Sequence, residues 1–167
     1  MPQTNFYILF IAALIPLVIG SVYYNPKVLG QAWMKSAGIT EEQAMSRKPI
    51  VTFGLAYLFS LLLSYILALF AIHQSSIVQL FLHEPGLAET GSEVNRFITD
   101  FFTKYGERHR TFGHGVIHGI EFSLCTGFAF IGINTLFEGR PMKYMWIHLG
   151  FWVVCGALMG GVVCAFM

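Results

Sequence analysis

Apolar and polar positions along the chain separate into four long apolar runs with polar stretches between them. The first run, Phe6 to Tyr24, carries no charge and ends on a tyrosine pair, as expected where a helix meets the membrane boundary. At a rise of about 1.5 Å per residue it reaches close to 30 Å, enough for a hydrocarbon core of about 30 Å. Pro16 inside it predicts a kink, and Asn25-Pro26 ends it, because the residue before a proline disfavours the α region. A second run follows Pro49, from Ile50 to about Ile72. His73-Gln74-Ser75-Ser76 interrupts it, and the weaker stretch Ile77 to Leu82 predicts a helix that continues past the membrane. The third run goes from about Gly113 to Phe137 and the fourth from about Tyr144 to Phe166, with the short loop Glu138-Gly139-Arg140-Pro141 between them.

The polar stretches carry a different period. Val28, Leu29, Ala32, Trp33 and Ala37 share one helical face, with Lys27, Gln31 and Lys35 off it, which predicts a short amphipathic helix over about 27–37 lying on the membrane surface. Gly38 suits its C-terminal stop, and Thr40 to Gln43 has the spacing of a capping box. His83-Glu84-Pro85-Gly86 reads as a turn. Thr90 and Glu93 have capping-box spacing, and Val94, Phe97, Ile98, Phe101, Phe102 and Tyr105 recur at helical intervals opposite Asn95, Arg96, Asp100, Lys104 and Glu107. A second amphipathic helix is therefore expected over about 92–106, on the bilayer or capping the bundle. The expected fold class is all-α, a polytopic membrane protein: one four-helix transmembrane domain over residues 1–167, with spans at about 6–24, 50–72, 113–137 and 144–166.

Composition strengthens this reading. Apolar residues make up 55% and charged residues 11% of the chain, against roughly 45–50% and about 25% in ordinary soluble domains. A net charge of +1 gives no electrostatic footprint for nucleic acid. The N-terminal run lacks a Lys/Arg n-region and an A-x-A-like cleavage site, so it reads as a retained span. Cys125, Cys155 and Cys164 all lie in apolar runs without metal-site spacing and read as small apolar packing groups. The first and third loops carry Lys27, Lys35, Arg47, Lys48, Arg140 and Lys143, and the opposite side carries Arg96, Lys104, Arg108 and Arg110. This excess places loops one and three inside and the termini and the 73–112 segment outside.

The third span is chemically unusual. Glu121 would lie roughly 12 Å inside the core, where an ionisable group is costly. His114 and His118 precede it at intervals of four and three residues, on the same helical face. His73, at the end of span two, lies on the same side of the membrane. His73, His114, His118 and Glu121 are thus candidate metal ligands, since imidazole and carboxylate suit zinc, iron or manganese. The same groups also fit plain hydrogen bonding at a wet interface, or a polar path through the membrane. HxxxH lacks the adjacent Glu of the HExxH pattern, and His148 falls at the opposite face. No catalytic set or phosphate-binding loop stands out, so no catalytic residue and no cofactor is assigned. Gly115 with Gly119, and Gly156 with Gly160, form two GxxxG pairs, which suit close packing of spans three and four or a homo-oligomer interface.

Several motifs resemble those of a known family. Tyr24-Asn25-Pro26-Lys27, Gly30, Ala32-Trp33-Met34-Lys35, Gly38 and Thr40-Glu41-Glu42 form one block. His118-Gly119, Asn134 with Leu136-Phe137-Glu138, Gly150-Phe151-Trp152 and Met159-Gly160 form the others. Together they resemble the bacterial membrane proteins catalogued as domain of unknown function 1761, over roughly residues 6–72 and 113–166, with the segment 76–112 left outside the resemblance. It implies a four-span protein of a bacterial inner membrane, assigns no activity, and marks His118 and Asn134 as polar contacts within the bundle. The functions expected from the residues are a non-enzymatic accessory or structural subunit of an oligomeric or larger envelope complex, a small permease or channel subunit with a polar path at Glu121 and His118, or a metal- or haem-binding redox protein. The expected partners are the lipid bilayer and a further copy or another membrane protein.

Overall fold

A computed structural model describes residues 4–46 and 48–167; Arg47, counted above among the basic residues of the first loop, lies outside them. The described residues contain helices and turns and no strand. Three helices are long and apolar enough to cross a membrane: α5 (Pro49–Ala71), α8 (Phe112–Phe137) and α9 (Met142–Phe166). A fourth span is counted only if the broken helices at the start of the chain are taken together. α1 (Tyr7–Ala12) and α2 (Ile15–Tyr23) are separated at Ala13-Leu14, where Pro16 sits in the first turn of α2. A π turn over Pro26–Gly30 and α3 (Gln31–Ala37) then bend away by 58°.

The broken first segment nevertheless runs the length of the bundle. At one end the Asn5 N–H donates to the Met167 carbonyl at 2.9 Å. At the other, Tyr23 Oη donates to the Ile147 carbonyl at 2.9 Å. Those two carbonyls lie about 30 Å apart along a helix axis. Between them Ile8, Leu9 and Ala12 join Leu67 and Ala68 of α5, Ile72 just past its end, and Phe151, Cys155, Met159 and Val163 of α9 in one buried core. Ser64 Oγ donates to the Leu9 carbonyl at 3.1 Å and Tyr57 Oη to the Phe10 carbonyl at 3.2 Å, two polar ties between α1 and α5.

The tightest contact pairs α8 with α9. A side chain added at Gly115 would run into the Gly160 carbonyl, and one added at Gly119 into the Gly156 carbonyl. The two GxxxG pairs therefore face each other within one chain, bringing the backbones together where any Cβ would hold them apart.

Two polar-segment details differ from expectation. The helix of span two stops at Ala71, with Ile72 extended at φ −99° and ψ 90°, and restarts as α6 (Gln74–Leu80). Ser75 Oγ accounts for the break: it donates to the Ile72 carbonyl at 2.7 Å and the Leu69 carbonyl at 3.3 Å. The cap of α7 (Glu93–Tyr105) is Ser92, accepting from the Asn95 N–H at 3.1 Å, and not Thr90. Gly91, at φ +88°, turns the chain there and brings Ser92 to the helix boundary in extended conformation. The Thr40–Gln43 capping box does form, opening the short α4 (Glu41–Met45). Gly38 ends α3 at φ +66°.

Candidate metal centre

The break after Ala71 sets the first candidate ligand. It turns His73 out of the line of α5 and toward the first turns of α8. Thr111 caps α8, accepting the His114 N–H at 3.2 Å, and so fixes the register that puts His114 and His118 one turn apart. The three imidazoles converge. His114 Nε2 lies 3.1 Å from His73 Nε2 and 3.1 Å from His118 Nε2. All three side chains offer a ring nitrogen within 4.8 Å of one another. Phe70 of α5 stands edge-on to His118 at 5.5 Å and holds its ring plane.

This arrangement suits a small cation. His114 Nε2 carries either one N–H or one lone pair, so it cannot make a good hydrogen bond to both neighbouring imidazoles at once. A tetrahedral metal with bonds of about 2.0–2.1 Å keeps neighbouring ligand nitrogens about 3.3 Å apart, close to the two spacings of 3.1 Å. At these spacings no two of the three imidazoles can stand on opposite faces of one haem.

Glu121 falls elsewhere than the shared helix face suggests. Its Oε2 lies 3.3 Å from His118 Nδ1, on the far side of the ring from the converging nitrogens. The contact lies within ion-pair distance but lacks hydrogen-bond geometry, and it sets Glu121 apart from the converging nitrogens. Its side chain is 56% exposed, against 17% for His118, so it faces outward and not into the bundle. Asn134 is exposed near the end of α8, and the buried polar residue there is its neighbour Thr135, which donates back to the Ile131 carbonyl at 2.7 Å.

His73 is the one imidazole of the cluster outside the spanning helices. Burial pushes its pKa below the ordinary value, and the neighbouring charges of His118 and His109 push the same way. The neutral, metal-binding form is favoured as a result.

Two contributors carry no signal in sequence spacing. Gln74 is buried at the start of α6, and its Nε2 donates to the carbonyls of Tyr105 at 3.0 Å and Arg108 at 2.7 Å, anchoring the turn that leads into α8. His109 in that turn stacks on His114, with ring centroids 5.0 Å apart. At the opposite membrane face, Tyr24 Oη and His148 Nδ1 share a hydrogen bond of 2.9 Å, and Arg140 Nη1 donates to the Ala37 carbonyl at 2.6 Å. These contacts fasten α3 and the start of α9.

Fold and site together define an all-helical chain of membrane-spanning type, with a three-histidine cluster at the end of the bundle where the termini meet. The chain belongs to the family described as Protein of unknown function (DUF1761), whose family model matches residues 7–164. The match runs through residues 76–112, which the motif resemblance had left out. No curated protein and no solved structure matches the chain.

Proposed function

We propose that this protein is a non-enzymatic membrane subunit that binds one divalent transition metal through His73, His114 and His118. The observation that carries this reading is the convergence of three Nε2 atoms from two separate stretches of chain. Glu121, 3.3 Å from the outer nitrogen of His118 without hydrogen-bonding to it, is the carboxylate within reach of that nitrogen, and metal-bound imidazoles characteristically have such a partner. The metal joins the end of α5 to the start of α8 and fastens the membrane helices to the cap formed by α6 and α7. On the balance of basic residues this face is the outer one. The accessory role places the partner on surface other than the two GxxxG pairs, which α8 and α9 use on each other.

Gentle purification followed by elemental analysis and cobalt(II) titration tests this function. About one metal per chain is expected, and His114→Ala, which removes the middle nitrogen, abolishes uptake. Absence of stoichiometric metal together with no cobalt uptake would sink the reading. Recovery as a lone monomer under the same conditions would remove the subunit part and leave the metal part standing.

A further inference from the structure

The segment joining α7 to α8 carries a fourth imidazole in an unusual backbone state. His109 has φ +64°, the only non-glycine residue with positive φ among the described residues. Such a conformation persists only when the surroundings impose it. Here they do. Gln74 holds the carbonyls of Tyr105 and Arg108 from below. Arg110 Nε donates to the Cys164 carbonyl at 2.9 Å. The His109 carbonyl itself accepts from the Thr111 N–H at 2.9 Å and from Cys164 Sγ at 3.4 Å. These contacts fix both neighbours of His109 and its own carbonyl, and leave its side chain free. The ring lies over His114, centroids 5.0 Å apart and planes 24° from parallel. It also lines a cavity of about 400 Å³ with His73, Gln74, Phe101, Tyr105 and Arg108.

We propose that His109 is the fourth ligand of the metal centre, which is therefore a closed four-nitrogen site. The inference rests on the metal reading above and deepens it. Three ligands reach the centre from α8 and the end of α5. The remaining approach comes from the turn before α8, and His109 is the group that the turn holds there. Its ring nitrogens stand outside the converging group, and rotation about its Cα–Cβ and Cβ–Cγ bonds would exchange the stack on His114 for a bond to the metal. A site with four protein ligands keeps no water or substrate position. Its consequence is mechanical: occupancy clamps the turn between α7 and α8 to the end of α5. The cation expected is one that accepts four neutral imidazoles in tetrahedral geometry, as zinc does.

The test uses the full chain in detergent with cobalt(II) as probe and azide as competing ligand. The wild-type cobalt spectrum is expected to be tetrahedral and unchanged by azide. His109→Gly suits the positive φ and so preserves the backbone. It is expected to weaken cobalt binding by more than about 100-fold, beyond the roughly 10–100-fold cost of losing an outer-shell partner. Its spectrum then shifts on adding azide, and added imidazole restores the wild-type bands. A wild-type spectrum that responds to azide overturns the proposal, as does unchanged cobalt affinity in His109→Gly. If the wild-type protein takes up no cobalt at all, the metal function fails together with it. Uptake with an open site removes the fourth ligand alone.

Discussion

His118 uses its two ring nitrogens in two directions, Nε2 toward His114 and Nδ1 toward Glu121. A carboxylate there favours the tautomer with the proton on Nδ1 and leaves the Nε2 lone pair for a metal. Glu121→Gln keeps size and polarity but removes the charge. Metal affinity is expected to drop about 10–100-fold with the fold unchanged, measured by competition titration beside circular dichroism; an unchanged affinity would contradict the orienting role. pH acts on the same cluster. His73 is held below its ordinary pKa by burial and then by His118 and His109, with His114 also at its side. Because the folded pKa lies below the unfolded one, the unfolded chain takes up the proton first, and stability falls as pH drops. That stability is fully present above the unfolded value of about 6.5 and is lost below it. Metal retention follows the same direction, since imidazole must be neutral to bind. Bound cobalt, followed by absorbance, should be constant from pH 8 to 7 and decline on further acidification. Retention that improves toward pH 5 would exclude histidine ligation.

Among the elements, α8 and α9 carry the most demanding contact. At Gly119 a Cβ meets the Gly156 backbone, which has no rotamer by which to yield, whereas at Gly113 a Cβ meets nothing. Gly119→Val is therefore expected to lower stability by at least the about 1–3 kcal/mol usual for overpacking, and Gly113→Ala to be neutral or slightly stabilising. Thermal unfolding in one detergent compares the two; equal midpoints would mean that the helices do not approach as described. This contact was legible in the sequence as two GxxxG pairs, but spacing alone left open whether they face each other or another copy. Spans three and four were legible almost to the residue because apolar runs set by membrane thickness need no tertiary information. The kink of span one was legible at Pro16, but the full break between Ala12 and Ile15 was not. Hydropathy averages across Pro16, whereas the break depends on where the carbonyls freed by proline find partners. The ligand pair His114 and His118 followed from a four-residue interval. His73 followed only from its side of the membrane. His109 and Gln74 had no periodic signal at all, because a left-handed turn and a helix break created by Ser75 put them there. Glu121 was assigned to the ligand set by helical face, a criterion that does not tell which side of a neighbouring ring a carboxylate occupies.

For the whole molecule, the cluster lies at the junction between a rigid bundle and a lightly attached cap. The bundle is held by the core shared among α1, α5 and α9 and by the glycine contact of α8 with α9. The cap has less to hold it: Ile98 is the buried residue of α7, Phe81 packs against Phe97 at 5.3 Å, and Gln74 anchors the turn into α8. Local opening is easiest where few apolar contacts are buried, so the cap is expected to open without the bundle. A ligand that binds only the closed form stabilises it by RT ln(1 + [L]/Kd), about 2.7 kcal/mol at a hundredfold excess over Kd, or roughly 100-fold in opening. Hydrogen exchange in detergent, with and without a chelator, reads this directly. Removing metal should speed exchange over residues 93–111 by up to about 100-fold and leave α9 unchanged. Equal protection of the cap in both states would show that the histidines do not couple it to the bundle. Uniform loosening of cap and spans together would show that the metal supports the whole fold and not the junction.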